Sequence, residues 1–246
     1  MVLGELYVPK GKAYETAKKV LGVEPMACNP SYGCKNMCSY CYIPWIKKGR
    51  MRFPKVSPPI LINNQLVSGI QPKGVFLSFA TDPFLEINRQ NSNEIIKILR
   101  ERNVRVATLS KVGVADINYL WGVKTGMTII SDSDEFRKIY EPNTLSIKKR
   151  IAILKEIHEG GGYTWISLEP YPTPEIWKQE LEHFLDKISF VDFIIFGKWN
   201  YDRRTSCSKA RMFYISIAKK FQDCCKAYGI RHWIKDDTKD FLNRKR

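Results

Sequence analysis

The sequence predicts an α/β fold built on a parallel sheet of about six strands, arranged as a partial β/α barrel. Three features of the 246 residues predict it: short apolar runs recur along the chain, helical patterns separate most of them, and polar groups follow them. The runs are rich in β-branched and aromatic residues and lack polar alternation, which is typical of strands buried on both faces. They lie at 74–80, 104–109, 126–131, 163–168 and 191–196, with a further strand expected near a cysteine-rich loop at 34–41.

Helical patterns occupy segments that alternate with most of these strands. Their predicted ranges are 91–102, 115–121, 146–158, 175–187 and 204–228. Ser92 is placed to be the N-cap of the first, and the last is strongly basic. Because strands that alternate with helices form right-handed βαβ units, we expect the strands to run parallel.

The composition indicates a soluble globular protein, with 44% hydrophobic and 26% charged residues. No apolar run approaches the ~20 residues that span a bilayer. Residues 1–20 lack the apolar stretch of a secretion signal, so we expect a cytoplasmic monomer that does not associate with membranes. We expect a single domain over 1–246, with a barrel core at 28–200 and a basic helical extension at 201–246.

The positive charge of the chain is concentrated at its two ends. Residues 1–56 contain ten Lys/Arg against three Asp/Glu, and residues 201–246 contain thirteen against five. Residues 57–200 contain seventeen of each, so the whole net charge of +15 lies in the end segments. Ends that met on one face would attract polyanions, which makes nucleic acid the expected partner; the alternative is an ordinary solvated basic surface.

Three of the seven cysteines, Cys34, Cys38 and Cys41, lie within eight residues at C-x3-C-x2-C spacing. In a reducing compartment such a cluster indicates metal binding or catalysis rather than disulfides. A structural zinc ion takes four ligands and no histidine lies nearby, whereas three thiolates on a [4Fe–4S] cluster leave one iron open. The alternatives are structural zinc and an inert cluster.

The other four cysteines lack a compact ligand loop. They are expected to be buried thiols rather than ligands of a second cluster, although one of them could donate a hydrogen atom to a product radical. These residues are Cys28, Cys207, Cys224 and Cys225.

Polar side chains follow almost every predicted strand. In parallel α/β folds the carboxyl ends of the strands carry the chemistry, so these side chains are candidates for the rim of a site. They are Thr81, Asp82, Ser110, Lys111, Ser131, Asp132, Glu169, Lys198 and Trp199.

A cysteine motif of the form C-x3-C-x-aromatic-C that opens a β/α barrel resembles the radical S-adenosylmethionine (SAM) superfamily. Further motifs resemble its spore photoproduct lyase-like group: "YGCKNMCSYCY", "TDPF", "LSK" and "YEPNTLSIKKRIAILKEIHEGG". The resemblance implies a [4Fe–4S] cluster on Cys34, Cys38 and Cys41, with SAM on the open iron. It also implies reductive cleavage to a 5′-deoxyadenosyl radical that abstracts hydrogen from a substrate, with a flavodoxin or ferredoxin as the electron donor.

The same resemblance implies roles for several strand-end residues. Ser78 or Thr81, Lys111 and Ser131 would hold the cofactor, and Tyr40 and Tyr42 would flank its adenosine. The other candidates for cofactor binding are Asp82, Glu169 and Lys198, although Lys198 could equally end its strand in water. Glu141 and Arg150 are either site residues or a surface ion pair.

Three functions remain open from the sequence. The first is a radical enzyme that repairs or modifies nucleic acid, favoured by the charge and by aromatics among cations in "YIPWIKKGRMRF", "GKWNYDRR" and "YGIRHWIKDD". Such aromatics could stack on single-stranded or flipped bases, or they could be core residues. The second is a radical enzyme acting on a peptide or small metabolite, and the third is a non-catalytic iron–sulfur or zinc protein that binds nucleic acid.

Overall fold

A computed structural model of the chain describes residues 3–43 and 50–243. It confirms the predicted α/β class: seven parallel strands form one open sheet whose order follows the chain from β1 to β7. The strands are β1 Pro25–Cys28, β2 Gly74–Leu77, β3 Arg105–Ser110, β4 Val123–Thr128, β5 Thr164–Tyr171, β6 Phe193–Lys198 and β7 Arg231–Ile234. The sequence predicts about six strands and misses β7, because its four residues begin with Arg and His rather than with an apolar run.

Helices follow most of the strands. Their bounds are α1 Lys12–Leu21, α2 Pro58–Val67, α3 Glu86–Arg100, α4 Ile117–Leu120, α5 Asp134–Tyr140, α6 Ile147–Glu159, α7 Leu181–Lys187, α8 Ser208–Ala227 and α9 Asp236–Asn243, with a 3-10 turn at Arg203–Thr205. The predicted segments correspond to α3, α4, α6, α7 and α8, whereas α1, α2, α5 and α9 have no counterpart among them. No helix in the described ranges is long and apolar enough to cross a bilayer.

The N-cap predicted for the first of these helices is wrong. Helix α3 begins at Glu86 after Leu85, so Ser92 lies inside it. The Ser92 side chain is buried and its hydroxyl donates to the carbonyl of Pro83 at 2.6 Å. The helix begins earlier than its apolar pattern because a turn at Asp82 starts it: the Asp82 carboxylate accepts from the backbone N–H of Phe84 at 3.0 Å.

The backbone groups into two compact units. Unit 1 comprises Met1–Met37, Cys41–Gly126 and Asn143–Leu145. Its core is aliphatic, because the inward side chains of β2 and β3 pack with those of α3. Central members of this core are Ile62, Val75, Leu77, Ile95, Ile96, Leu99 and Val106.

Unit 2 comprises Cys38–Tyr40, Met127–Pro142 and Ser146–Arg246. Its core is more aromatic, and its largest fully buried side chains include Trp165, Tyr171, Phe184, Phe196, Tyr214 and Phe221. The expected single domain over 1–246 stays a prediction. The predicted basic–aromatic stretch at 42–53 lies partly outside the described residues, since 44–49 are not described.

Candidate cofactor-binding residues

Asp82, in the loop after β2, is the centre of a buried hydrogen-bond network in unit 1. Its Oδ1 accepts from the hydroxyl of Ser110 at 2.7 Å and from the N–H of Phe84 at 3.0 Å. Its Oδ2 accepts from the N–H of Lys111 at 2.8 Å and from the amide of Asn36 at 3.1 Å. Each carboxylate oxygen thus has two protein donors, so Asp82 orders the ends of β2 and β3 and one residue of the cysteine loop. A direct contact with the cofactor stays a prediction.

The two candidate hydroxyls of this loop, Ser78 and Thr81, are buried and bonded within the protein. Ser78 Oγ donates to the carbonyl of Thr81 at 2.8 Å. Thr81 Oγ1 accepts from Asn88 Nδ2 at 3.1 Å and lies 3.2 Å from Ser31 Oγ. Asn29 completes the turn, because its Oδ1 accepts from the N–H groups of residues 79 and 80 at 2.8 and 2.9 Å. The structure therefore brings these residues together as a preorganised turn.

Cys34 lies half-buried in unit 1, where its sulfur accepts backbone N–H bonds from Asn36 and Asp82. Burial raises the pKa of this thiol to about 11, and the two N–H bonds and the nearby cation of Lys111 oppose that rise. Donors and a positive charge near a sulfur favour its thiolate, which is the form that ligates metals. Lys111 is close enough to Cys34 to act on its charge, and its role in binding the cofactor stays a prediction.

Cys41 is also half-buried and belongs to unit 1. The next residue, Tyr42, has 45% of its surface exposed. Its hydroxyl donates to the carbonyl of Phe79, in the same loop that holds Ser78 and Thr81. Tyr42 thus lies beside the loop that the sequence assigns to the cofactor.

Cys38 is buried in unit 2, near enough to the Tyr40 hydroxyl to raise its pKa. The Tyr40 hydroxyl is enclosed and donates to Glu141 Oε1. Burial raises the pKa of Tyr40 well above its ordinary value, and the Glu141 carboxylate raises it further. The Tyr40 ring contacts Trp199 edge-on, with ring centroids 5.1 Å apart, at the end of β6.

Glu141 and Arg150 form a fully buried ion pair rather than a surface pair. Both side chains have no exposed area, and Arg150 Nη1 lies 2.6 Å from Glu141 Oε2. The same Arg150 nitrogen donates to the carbonyl of Thr128, at the end of β4, at 2.9 Å. Of the two alternatives left by the sequence, the structure excludes the surface pair.

Glu169, near the end of β5, pairs with a lysine that the sequence analysis missed. Lys235, just after β7, places its Nζ 3.0 Å from Glu169 Oε2, and its side chain is 9% exposed. The Glu169 side chain passes over Gly197 of β6, where an added Cβ would lie 2.7 Å from Glu169 Cγ. Gly197 is therefore the residue that lets Glu169 lie across β6 toward Lys235.

The remaining strand-end candidates of unit 2 have separate surroundings. Ser131 is fully buried and its Oγ accepts from the N–H of Ser133 at 3.2 Å, so it helps to begin α5. Lys198 donates to Asn200 Oδ1 at 2.5 Å, and its ammonium lies 5.0 Å from the ring centroid of Phe241. Lys198 is thus held within the protein and does not simply end its strand in water.

The four cysteines outside the loop differ in exposure. Cys28 and Cys225 are buried, as expected, and burial raises the pKa of Cys225 to about 12. Cys207 is exposed, so the expectation that it is buried is wrong. Its sulfur caps the start of α8 by accepting from the N–H of Ala210 at 3.5 Å. Cys224 is half-buried. A role for one of them as a hydrogen-atom donor stays a prediction.

The donor set of the cysteine loop fits an iron–sulfur cluster. All seven cysteines are thiols, with no disulfide in the described chain, and soft thiolates select iron–sulfur clusters and zinc. The N–H bonds to Cys34 are of the kind that tune cluster potentials. Among the described residues no three Cys, His, Asp or Glu side chains converge on a metal position. The loop therefore fits a cluster by the type of its ligands and not by a preformed geometry.

Several contributors to this region lie beyond what sequence reasoning found. Asn29, Asn36 and Asn88 are buried amides, and Asn29 and Asn88 lie outside the quoted motifs. Lys235 follows the strand that the sequence analysis missed. A buried-amide role could have been suspected only for Asn36, since it lies inside the cysteine loop.

The chain shares its fold with radical SAM enzymes of known structure. Spore photoproduct lyase complexed with dinucleoside spore photoproduct has a TM-score of 0.63 at 13% identity, covering 87% of this chain and 77% of the lyase. Streptococcus suis SuiB bound to S-adenosylmethionine has a TM-score of 0.61 at 9% identity, covering 91% of this chain and 54% of SuiB. These likenesses confirm the predicted resemblance at the level of the fold.

Sequence comparison adds one relative. An uncharacterized protein of Methanocaldococcus jannaschii is 27% identical over a region covering 56% of this chain and 58% of that protein. The chain thus spans less than two thirds of the length of this relative, and about half of SuiB. No family model matches the chain.

Proposed function

We propose that this protein is a radical SAM enzyme in which Cys34, Cys38 and Cys41 hold a [4Fe–4S] cluster. The observation that carries the proposal is the C-x3-C-x2-C loop of three thiols in a chain with the fold of radical SAM enzymes. When bound, the cluster and SAM supply an electron and a 5′-deoxyadenosyl radical that abstracts hydrogen from the substrate.

The protein's own residues would bind and orient the cofactor. Lys111 lies near Cys34 and would neutralise a carboxylate or bond a ribose oxygen. Tyr40 and Tyr42 would flank the adenosine. Asp82, with both oxygens bonded to protein donors, would act by fixing the backbone that presents Lys111 and Asn36. Asp82 and Asn36 are buried, so this part of the site would help to keep water away from a reactive radical.

Cluster loading tests the ligand assignment. After anaerobic reconstitution with iron and sulfide, the wild-type protein should bind about four irons per chain, while Cys34→Ala, Cys38→Ala and Cys41→Ala should bind far fewer. Cys207→Ala is the matched control, because Cys207 is exposed and lies outside the loop. Equal iron in wild type and all three loop variants would exclude the loop as the cluster site.

The substrate we propose is a nucleic acid that the enzyme repairs or modifies. Much of the charge at the C-terminal end is paired: Lys220, for example, lies 2.6 Å from Glu182. Lys219 and Lys226 on α8 are exposed and form no ion pair within the described ranges, so they remain available to phosphates. Tyr201, which precedes α8 in the same basic end of the chain, is 75% exposed and offers a ring for base stacking.

Salt-dependent binding tests this substrate class. Binding of single-stranded DNA and RNA should weaken steeply with salt, and a Lys219→Ser/Lys226→Ser double variant should lower the slope of log K against log salt by about 1.4, or ~0.7 for each phosphate that is no longer neutralised. The matched control is Lys97→Ser/Lys155→Ser, which removes two exposed lysines of the neutral middle of the chain. An unchanged slope in the α8 variant would remove these lysines from the interface.

A peptide substrate is the second candidate. The observation in its favour is that SuiB, whose structure bound to precursor peptide SuiA has a TM-score of 0.60, shares the fold. Absence of salt-dependent nucleic-acid binding by the wild-type protein would favour it. A cytoplasmic location and electron transfer from a flavodoxin or ferredoxin complete the proposal.

A further inference from the structure

Two contacts attach the middle of the cysteine loop to the C-terminal end of α5. The N–H of Ser39 donates to the carbonyl of Tyr140 at 2.9 Å, and the hydroxyl of Tyr40 donates to Glu141. Ser39 and Tyr40 directly follow Cys38 in the chain. Hydrogen bonds from Ser39 and Tyr40, the two residues after Cys38, therefore help to fix the position of the Cys38 thiol.

The acceptor of the Tyr40 hydroxyl is itself fixed by a buried charge. Glu141 Oε2 lies 2.6 Å from Arg150, and Arg150 bonds the carbonyl of Thr128 at the end of β4. Arg150 lies on α6, which begins at Ile147, so the carboxylate is held by a strand and a helix together. Neither side chain has any exposed surface, so the pair does not exchange partners with water.

A third contact fixes the Tyr40 ring. Trp199 is 3% exposed and meets the Tyr40 ring edge-on. The backbone N–H of Trp199 donates to the hydroxyl of Tyr214 at 2.9 Å, and that hydroxyl donates to the carbonyl of Tyr171 at 2.7 Å. Both ends of the Tyr40 side chain are thus held by rigid elements of unit 2.

A buried ion pair is a costly way to stabilise a fold. Removing two charges from water is unfavourable, and well-packed apolar residues often replace such a pair with no loss of stability. A buried pair that also accepts a bond from a loop hydroxyl does something that apolar residues could not do: it fixes that hydroxyl in one position. We propose that the Glu141–Arg150 pair positions the Cys38–Tyr40 segment for cluster binding, an inference that rests on the proposed function of the loop.

Glu141 and Arg150 are positioning residues in this proposal, because they act through Tyr40. Groups that orient metal ligands typically change metal affinity by about 10–100-fold when they are removed. Tyr40→Phe is the sharpest variant, since it removes one hydroxyl and keeps the ring on Trp199 and the Glu141–Arg150 pair. Tyr140→Phe is the matched control: its ring also contacts Trp199, with centroids 5.6 Å apart, and its hydroxyl donates to the carbonyl of residue 176 instead of the loop.

The experiment compares iron loss to a chelator from anaerobically reconstituted protein. We expect Tyr40→Phe to lose iron roughly 10–100-fold faster than wild type, and Tyr140→Phe to lose it at the wild-type rate. Hydrogen exchange of the apo-protein gives a second readout, in which the Ser39 amide should exchange several-fold faster in Tyr40→Phe only. Glu141→Gln should also speed iron loss, and combining it with Tyr40→Phe should add little, because both variants break one connection.

The outcomes separate this inference from the proposed function. A wild-type protein that binds no iron overturns both. A wild type that binds iron and a Tyr40→Phe variant that retains it equally well, with unchanged Ser39 exchange, overturns the positioning role alone. If Glu141→Gln fails to fold, as thermal unfolding of the apo-protein would reveal, the comparison of Tyr40→Phe with Tyr140→Phe still decides.

Discussion

Two buried carboxylates contact the cysteine loop, and the protein accommodates them in different ways. Asp82, in unit 1, is surrounded by four neutral donors, two of them backbone N–H groups. Glu141, in unit 2, faces the guanidinium of Arg150 and the hydroxyl of Tyr40. Asp82 contacts the loop at Asn36, and Glu141 contacts it at Tyr40.

The difference indicates how each region tolerates change. A carboxylate held by several neutral donors shares its stabilisation among them, so no single donor is decisive. In an ion pair with no exposed surface, one partner supplies most of the stabilisation of the carboxylate. Losing that partner leaves a buried charge without compensation. We therefore expect unit 2 to be the more sensitive to a single substitution near the loop.

Breaking the Glu141–Arg150 pair should have the largest effect. Arg150→Met should destabilise the apo-protein by about 3–5 kcal/mol, because Glu141 is left as an uncompensated buried charge. Adding Glu141→Leu should recover much of that loss. Urea unfolding of the two single variants and the double variant measures the coupling, and strictly additive losses would show that the pair does not act as a unit.

Asp82→Asn should have a smaller effect, of about 2–3 kcal/mol. The new side chain keeps one acceptor oxygen, but an NH2 group replaces the other oxygen. In the place of Oδ2 this group would face the amide of Asn36 and the N–H of Lys111, and both donors would lose their acceptor. The same unfolding measurement applies. A loss greater than that of Arg150→Met would reverse the ranking of the two regions.

Gly197→Ala should cost about 1–2 kcal/mol by overpacking. Its Cβ would lie 2.7 Å from Glu169 Cγ, so the Glu169 side chain must move and its contact with Lys235 must weaken. In a Glu169→Ala background the same substitution should be nearly neutral. An equal cost in both backgrounds would mean that Gly197 is needed for some other reason.

Lys187→Met should have the smallest effect, under about 1 kcal/mol, because exposed ion pairs contribute little. Lys187 lies 2.6 Å from Asp132, and its side chain is 40% exposed. This variant calibrates the comparison, since it removes an ion pair of similar length from the surface of unit 2. A loss that approached that of Arg150→Met would show that burial does not govern these pairs.

The strands and the cysteine loop could be predicted because they depend on local sequence. Buried strands such as β2 and β6 appear as apolar runs, and the loop appears as a spacing of cysteines. The β7 strand could not be predicted in this way, because Arg231 and His232 replace the apolar start and only its pairing with β6 identifies it.

The surroundings of the site residues depend on long-range packing, which the sequence does not display. Glu141 and Arg150 are nine positions apart on either side of a loop, and only the fold shows that both are buried. The Glu169–Lys235 pair requires a glycine on the intervening strand, and Gly197 has no local signature of that role. Likewise, the helix predicted from Ser92 begins at Glu86 because the Asp82 turn starts it.

Radical SAM chemistry is tested most directly by measuring 5′-deoxyadenosine after anaerobic reconstitution, with dithionite as reductant and SAM as cofactor. We expect that wild type forms 5′-deoxyadenosine, that Cys38→Ala forms none, and that Cys207→Ala matches wild type. A wild-type protein that carries its full cluster and yet releases no 5′-deoxyadenosine would contradict this expectation and leave the three cysteines as a structural or binding site.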